Sequence, residues 1–233
     1  MRPEERYARQ IALPEIGAEG QRRLSGSSVL IIGAGGLGSP AALYLTAAGI
    51  GRIGLADADR VSESNLQRQV LYREADIDRP KTEAAAERLH ALSGDTVIET
   101  YDEELTPENG AEMIARYDIV VECSDNFATR YTVDDLCLTA GKPWVYGSIG
   151  AFSGQASLFT PRCRTRYADL YPDRESLSAA PRSSGGVLGP VPGIIGAVQA
   201  AETVKWLVGF GTTLEGRLFT IDVATMQCRT FEL

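Results

Sequence analysis

Short, fully apolar runs alternate with amphipathic stretches along this chain. Residues 29–32 are apolar without interruption, which is typical of a strand buried on both faces of a parallel sheet. Further strands are predicted at residues 53–57, 97–101, 118–122, 143–150, 155–160, 218–222 and 227–233. Helices are predicted at residues 1–27, 39–48, 81–92, 107–116, 127–140 and 193–209. This alternation predicts an α/β fold: a Rossmann-like, mostly parallel sheet with helices on both faces and an antiparallel strand portion at the C-terminus.

A glycine-rich turn follows the first strand with the spacing G-x-G-x-x-G and one additional glycine. The glycines are Gly33, Gly35, Gly36 and Gly38. Ser39 and Pro40 then provide a predicted N-cap and first-turn residue for a helix. A turn without side chains lets a phosphate approach backbone N–H groups and the positive end of the helix. Asp57, at the end of the second strand, is placed to reach a ribose hydroxyl. Together these features predict a nucleotide site, and by themselves they favour a dinucleotide.

Polar clusters lie after other predicted strands as well. Residues 59–69 follow the second strand, and Asp125 and Asn126 follow the strand at 118–122. A single aspartate in such a place is commonly an N-cap for the next helix. Because the carboxyl ends of parallel strands meet at one edge of a sheet, several such clusters favour a binding site there.

Length and composition predict one domain, residues 1–233. The net charge of −8 argues against non-specific nucleic-acid binding. The N-terminus carries no apolar stretch of the secretory type, and no apolar run approaches the ~20 residues of a membrane span. We therefore expect a cytoplasmic protein without membrane segments.

The thiols and the only histidine do not predict a metal site. None of the four cysteines forms a C-x-x-C pair, which favours scattered reduced thiols over structural zinc. His90 is predicted to lie on a helix surface and not to act in catalysis. Residues 161–189 lack periodicity and are predicted to form a long, flexible crossover loop.

Several segments together resemble one family in the same order along the chain. They are residues 6–17, 33–45, 64–69 (SNLQRQ), 79–81 (RPK), 124–131 (SDNFATRY) and 186–202. On these segments the chain resembles the bacterial E1-like adenylyltransferases of the ThiF/MoeB/HesA family. Those enzymes activate small ubiquitin-like sulfur carriers in thiamine and molybdopterin synthesis. The resemblance covers essentially the whole chain.

The resemblance implies a nucleotidyltransferase that uses ATP and Mg²⁺. Its implied substrate is the C-terminal Gly-Gly carboxylate of a ubiquitin-like sulfur carrier, which attacks the α-phosphate to give an acyl-adenylate and pyrophosphate. It also implies a homodimer, because the arginine matching Arg9 reaches into the neighbouring subunit's site. A separate sulfur donor, such as a cysteine desulfurase, would then act on the adenylate.

The resemblance also implies roles for individual residues. The glycine turn, with Ser64, Gln67 and Asn126, would lie against the nucleotide, and Asp57 would take the ribose hydroxyls. Asn65, Arg68 and Lys81 would neutralise and orient the triphosphate. Asp125 would hold Mg²⁺, and Asp59 would assist the metal or orient a base.

The chain departs from the family at two places. The first of two zinc-binding C-x-x-C pairs falls at Arg166 and Asp169, and the chain ends before the second, so we expect no zinc. An acyl- or sulfur-accepting cysteine found in many members corresponds here to Arg182, followed by Ser183 and Ser184. This argues against a covalent thioester or persulfide step, and Cys163 in the same loop is interpreted as an uncommitted thiol.

Three other functions remain open at this point. Within the family, the substrate could be another terminal carboxylate, of a peptide or a tRNA-linked nucleoside. A nicotinamide-dependent oxidoreductase is disfavoured because no Tyr/Lys or His/Asp catalytic pair is evident. A non-catalytic binding partner is disfavoured because the nucleotide-side residues are all present.

Overall fold

An eight-stranded mixed sheet runs through the molecule in the order β3-β2-β1-β4-β5-β6-β7-β8. The computed structural model describes residues 3–180 and 185–233. The strands are β1 Ser28–Ile32, β2 Arg52–Ala56, β3 Val97–Tyr101, β4 Ile119–Glu122, β5 Trp144–Gly150, β6 Ser153–Phe159, β7 Arg217–Asp222 and β8 Gln227–Glu232. The strands β3, β2, β1, β4 and β5 pair in parallel, and β6, β7 and β8 continue the sheet in antiparallel pairs. The predicted fold class is confirmed.

Helices cover both faces of this sheet. They are α1 Pro3–Arg6, α2 Ala8–Ile11, α3 Gly17–Gly26, α4 Gly38–Ala48, α5 Lys81–Leu92, α6 Pro107–Ala115, α7 Phe127–Ala140, α8 Tyr167–Leu170, α9 Arg174–Ala179 and α10 Pro190–Val208. Short 3₁₀ helices lie at Glu63–Asn65 and Glu74–Asp76. Among the residues described, no helix is both long and apolar enough to span a bilayer.

Strand β1 divides its side chains between two hydrophobic cores. Val29 and Ile31 belong to the core beneath α3, α4, α5 and α10, whereas Leu30 and Ile32 belong to the core beneath α6 and α7. Side chains alternate between the faces of a strand, so a central parallel strand must be apolar at every position. This explains the uninterrupted apolar run in the sequence.

The predicted capping role of Ser39 is wrong. Helix α4 begins at Gly38, and the N–H of Ser39 already donates to the carbonyl of Gly35 at 2.9 Å. The Ser39 hydroxyl is fully buried and has no hydrogen-bond partner among the described residues. Leu37 occupies the N-cap position without a side-chain hydrogen bond, and only glycine fits at position 38, because a Cβ there would collide with the carbonyl of Gly33.

The N-terminal stretch is not one amphipathic helix. The prediction for residues 1–27 is wrong in its continuity, since α1, α2 and α3 are separated by turns around Tyr7 and Pro14. Proline lacks the N–H that would continue a helix, and Gly17 takes a positive φ of 56° at the start of α3.

The crossover segment contains regular structure that its sequence did not predict. Helices α8 and α9 lie within it, and Tyr167 of α8 is completely buried. The ring of Tyr167 contacts Tyr131, Trp144, Tyr146, Phe159 and Tyr171 in one aromatic cluster. Arg166 forms ion pairs of 2.9 Å with the buried Asp134 and the half-buried Asp135 of α7. Residues 161–180 of this segment are therefore packed against the body of the protein.

Candidate functional site

A cavity of about 670 Å³ opens at the carboxyl ends of the parallel strands. It lies where the chain leaves β1 and β4, which are neighbours in the sheet although they are distant in sequence. The strand order β3-β2-β1-β4-β5 changes direction between β1 and β4. In open α/β sheets such a change leaves a crevice that commonly holds a ligand. The predicted residues that line the cavity are Gly33, Gly35, Gly36, Asp57, Asp59, Ser64, Gln67, Arg68, Lys81, Asp125 and Asn126.

The glycine turn forms one wall of the cavity. Gly33 has a φ of 91°, and a Cβ there would come within 2.7 Å of the carbonyl oxygen of Cys123. Among the described residues, the N–H groups of Gly35 and Gly36 donate to no protein acceptor. Two such N–H groups close to the N-terminus of α4 make this wall attractive to a phosphate.

Asp57 contacts the glycine turn directly. Its Oδ2 accepts from the N–H of Ala34 and its Oδ1 from the N–H of Asp59, both at 2.8 Å. Burial raises the pKa of the Asp57 carboxyl, and the nearby Lys81 ammonium opposes that rise. The carboxylate is thus held in a fixed orientation between the turn and the loop after β2.

Lys81 is the first residue of α5 and is buried, with its ammonium near two carboxylates. The Nζ atom lies 2.8 Å from Asp59 Oδ2 and 3.7 Å from Asp57 Oδ2. The Lys81 N–H also donates to the Asp59 carbonyl at 3.0 Å, so backbone and side chain are fixed together. A buried cation at the cavity wall would attract a polyphosphate, although its present partners are acidic.

The SNLQRQ segment supplies another wall. The guanidinium of Arg68 donates to the carbonyl of Ser64 at 3.0 Å, which folds this half-buried side chain back over the short 3₁₀ turn. A Cβ on Gly36 would lie 3.6 Å from Arg68 Cγ and 3.1 Å from Pro192. The arginine is therefore packed close to the glycine turn.

The loop after β4 is held by a buried ion pair. Glu122 is completely buried, and its Oε2 lies 3.3 Å from Arg130 Nε. Arg130 also donates to the Ser124 carbonyl at 3.0 Å, while Glu122 Oε1 accepts from the Ser124 N–H at 2.7 Å. Burial raises the pKa of Glu122, opposed by the Arg130 charge. These contacts fix the position of Asp125 at the cavity.

Asn126 is both a helix cap and a cavity residue. Its side chain accepts from the N–H of Thr129 at 2.8 Å at the start of α7. The neighbouring Asp125 is exposed and lines the cavity without capping the helix.

Three predicted residues do not line this cavity. Asn65 turns its side chain back to accept from the Ser62 N–H at 3.2 Å, as part of a capping box. Gly38 is buried beneath Gly33, where it permits the turn. Arg9 is exposed on α2 and belongs to a different part of the surface.

Three cavity or turn residues were given no individual role in the sequence-based prediction. Arg130 and Gln69 line the cavity, and Tyr72 donates its hydroxyl to the Ala34 carbonyl at 2.7 Å. Arg130 lies four residues after the cap Asn126, which places both on one side of α7. That spacing is a signal that could have identified Arg130, whereas no local pattern distinguishes Tyr72 from a core tyrosine.

The donor set at the cavity fits Mg²⁺ accompanied by phosphate. Asp59 and Asp125 both line the cavity, and Mg²⁺ is commonly held by one or two carboxylates together with substrate phosphates. Across residues 3–180 and 185–233 no group of three or more His, Cys, Asp or Glu side chains could hold a metal without a ligand.

Cys123 lines the cavity, whereas the other three cysteines and the zinc-pair positions Arg166 and Asp169 do not. Arg166 is ion-paired with α7, and Asp169 Oδ2 accepts from the Arg166 N–H at 2.8 Å. Cys163 Sγ accepts from the Thr160 N–H at 3.3 Å. The positions Arg182, Ser183 and Ser184, where a family cysteine is expected, lie outside the described residues.

A family comparison decides the classification of the chain. The model of the ThiF family matches residues 7–233. The chain belongs to the ThiF family. The predicted resemblance is therefore confirmed over nearly the whole sequence.

Curated ThiF-family relatives extend this result. The chain is 45% identical over 231 residues to the sulfur carrier protein adenylyltransferase of Thermus thermophilus, covering 97% of this chain and 85% of that protein. It is 42% identical over 233 residues to the probable adenylyltransferase/sulfurtransferase MoeZ of Mycobacterium tuberculosis, covering 98% of this chain. The match spans only 59% of MoeZ.

Solved structures show the same fold. MccB of E. coli, in a crystal structure with ATP, superposes with a TM-score of 0.83 at 24% sequence identity. The match covers 97% of this chain and 71% of MccB. At that level of identity, the likeness concerns the fold alone.

Proposed function

We propose that this ThiF-family protein is an ATP-dependent adenylyltransferase. Its substrate would be the C-terminal Gly-Gly carboxylate of a ubiquitin-like sulfur carrier. The single observation that carries the proposal is the meeting of the glycine turn, Arg68, Lys81 and Asp125 at one cavity. The names of the adenylyltransferase relatives support it.

In the proposed reaction, a carboxylate oxygen of the carrier attacks the α-phosphorus of ATP. A phosphorus–oxygen bond forms, the bond to the β-phosphate oxygen breaks, and pyrophosphate leaves with its electron pair. No proton transfer is needed, because the nucleophile is already an anion. Catalysis therefore depends on bringing two anions together and stabilising the negative charge.

The residues of the cavity suit that task. The N–H groups of Gly35 and Gly36, which have no acceptor among the residues described, would donate to phosphate oxygens, and Asp57 would accept hydrogen bonds from the ribose. Arg68 and Lys81 would neutralise the triphosphate. The Lys81 ammonium would then exchange part of its interaction with Asp57 and Asp59 for contacts with phosphate oxygens. A bound Mg²⁺ would further neutralise phosphate charge, and Asp125 would hold it with help from Asp59.

The proposal extends to the assembly. We infer a cytoplasmic homodimer in which Arg9, exposed on α2, completes the partner's cavity. A separate sulfur donor would convert the adenylate, and zinc would not be part of the protein.

ATP–pyrophosphate exchange tests the proposal, with candidate Gly-Gly carriers from the same genome added singly. Exchange that depends on one carrier would support adenylation and identify the substrate. Intact ATP binding without exchange would favour another carboxylate, of a peptide or a tRNA-linked nucleoside, or a non-catalytic protein. Thermal stabilisation by NAD instead of ATP–Mg²⁺ would favour an oxidoreductase.

A further inference from the structure

Tyr72 reaches the glycine turn from the protein interior. Its ring packs in the core beneath α4 and α5 and is only 7% exposed. Its hydroxyl donates to the carbonyl oxygen of Ala34 at 2.7 Å. The residue follows the SNLQRQ segment, and its own N–H donates to the Gln69 carbonyl at 3.2 Å.

Both backbone polar groups of Ala34, its N–H and its carbonyl, are hydrogen-bonded to side chains. The N–H of Ala34 donates to Asp57 Oδ2 at 2.8 Å, and its carbonyl accepts from Tyr72. Each bond fixes a different peptide plane, because the N–H belongs to the Gly33–Ala34 peptide and the carbonyl to the Ala34–Gly35 peptide. Ala34 is 1% exposed, so water has little access to either group.

The second of these planes also carries the N–H of Gly35. A trans peptide is planar, and its N–H points opposite to its carbonyl. The Ala34 carbonyl points to Tyr72, so the Gly35 N–H must point away from Tyr72 and out of the core. Gly35 lines the cavity, and its N–H has no protein acceptor among the described residues.

We propose that Tyr72 is a positioning residue for the nucleotide: by holding the Ala34 carbonyl, its hydroxyl orients the Gly35 N–H for a phosphate oxygen. This inference rests on the proposed ATP site. Glycine imposes little conformational restraint of its own, so the peptide plane needs an external hydrogen bond to stay in one orientation. Without the hydroxyl, the buried Ala34 carbonyl has no donor among the described residues, and a rotation of the peptide plane that exposes the carbonyl to another donor lowers the free energy.

The test compares Tyr72→Phe with a matched control, Tyr131→Phe. Tyr131 is also a buried tyrosine, and its hydroxyl also donates to a backbone carbonyl, that of Tyr171, away from the glycine turn. Each variant removes one oxygen atom and keeps the ring. The measurements are ATP–Mg²⁺ affinity by calorimetry, the KM and kcat of pyrophosphate exchange, and the unfolding temperature.

We expect Tyr72→Phe to raise the dissociation constant and the KM for ATP about fivefold, as for one lost hydrogen bond. The kcat and the KM for the carrier should stay within about twofold, since the turn holds ATP equally in ground and transition states. Tyr131→Phe should lower the unfolding temperature similarly and leave ATP affinity unchanged.

Two results would overturn the inference while leaving the proposed function intact. One is that Tyr72→Phe binds ATP with the same affinity as a wild-type protein that does bind ATP. The other is an equal loss in both variants, which would indicate general loosening of the fold. A wild type that binds no ATP would instead overturn the proposed function together with this inference.

Discussion

The ammonium of Lys81 lies 2.8 Å from Asp59 and 3.7 Å from Asp57, so one buried cation is shared by two carboxylates. All three side chains line the cavity. The arrangement places a positive charge at the cavity wall and pairs it with two carboxylates. An arriving polyphosphate would compete with the carboxylates for this charge.

Replacing Lys81 with alanine should abolish activation without unfolding the protein. We expect pyrophosphate exchange to fall by about 100-fold or more, because a charge that stabilises the transferring phosphate is lost. Lys205→Ala is the control, since Lys205 pairs with Glu202 at the far end of α10. Unchanged exchange in Lys81→Ala would contradict the proposed role.

Arg9 should act in the partner's active site. Arg9→Ala and Asp125→Ala homodimers should each lose exchange activity, whereas mixed dimers of the two should regain part of it in one composite site. The measurement is exchange after subunit mixing, with Arg22→Ala, an exposed arginine of α3, as the control. Absence of rescue in verified mixed dimers would place Arg9 outside the neighbouring site.

Asp76 should make stability depend on acid pH. Hydrogen bonds from the Arg73 guanidinium lower the pKa of this buried carboxyl from 3.8 to about 2, despite the opposing effect of burial. Because the folded state has the lower pKa, the stabilisation is complete above pH 4 and disappears as the pH falls from about 4 to about 2.

The variant Asp76→Asn should lose about 1–2 kcal/mol of unfolding free energy at pH 7 and show a flatter stability profile between pH 4 and pH 2. Urea unfolding at several pH values measures both effects. Asp102→Asn, at an exposed carboxylate, should change neither. Equal stability of Asp76→Asn and wild type at pH 7 would show that the ion pairs of Asp76 with Arg73 and Arg79 contribute nothing to the free energy of unfolding.

Gly147 should not tolerate a methyl group. The amide of Gln199 crosses over Gly147 and donates to the Glu122 carbonyl at 2.6 Å, and a Cβ at Gly147 would lie 2.5 Å from that amide. We expect Gly147→Ala to cost about 1–3 kcal/mol of stability, from overpacking and a disturbed hydrogen bond. Gly94→Ala is the control because a Cβ there meets nothing within 4 Å. Equal unfolding midpoints for the two variants would refute this expectation.

The sequence predicted those parts of the fold that depend on residues close together along the chain. Uninterrupted apolar runs located the strands, and glycine spacing located the turn after β1. Since strand ends share one edge of a parallel sheet, the meeting of Asp57 and Asp125 at a cavity was also predictable. Helices α8 and α9 were missed because stretches of four and six residues are too short to show a period.

Side-chain direction within irregular turns was harder to predict. Asn65 was expected at the triphosphate, but its amide closes a local capping box instead. Spacing in the sequence does not determine which way a residue points in a 3₁₀ turn. Tyr72 was overlooked because no motif marks it and its partner, Ala34 in the glycine turn, is far away along the chain.

The cavity is lined by strand ends and also by Ala180, Gly186 and Val187 of the crossover segment, and these two parts are attached to the protein by different means. The strand ends belong to the central sheet, whereas residues 161–180 of the crossover segment are held by side-chain contacts, chiefly the aromatic cluster around Tyr167 and the ion pairs of Arg166 with α7. In native-state hydrogen exchange we therefore expect amides of β1 and β4 to exchange only through global unfolding and those of α8 and α9 through cheaper local opening. A protease should accordingly cut first within that segment, leaving a sheet that still carries the glycine turn.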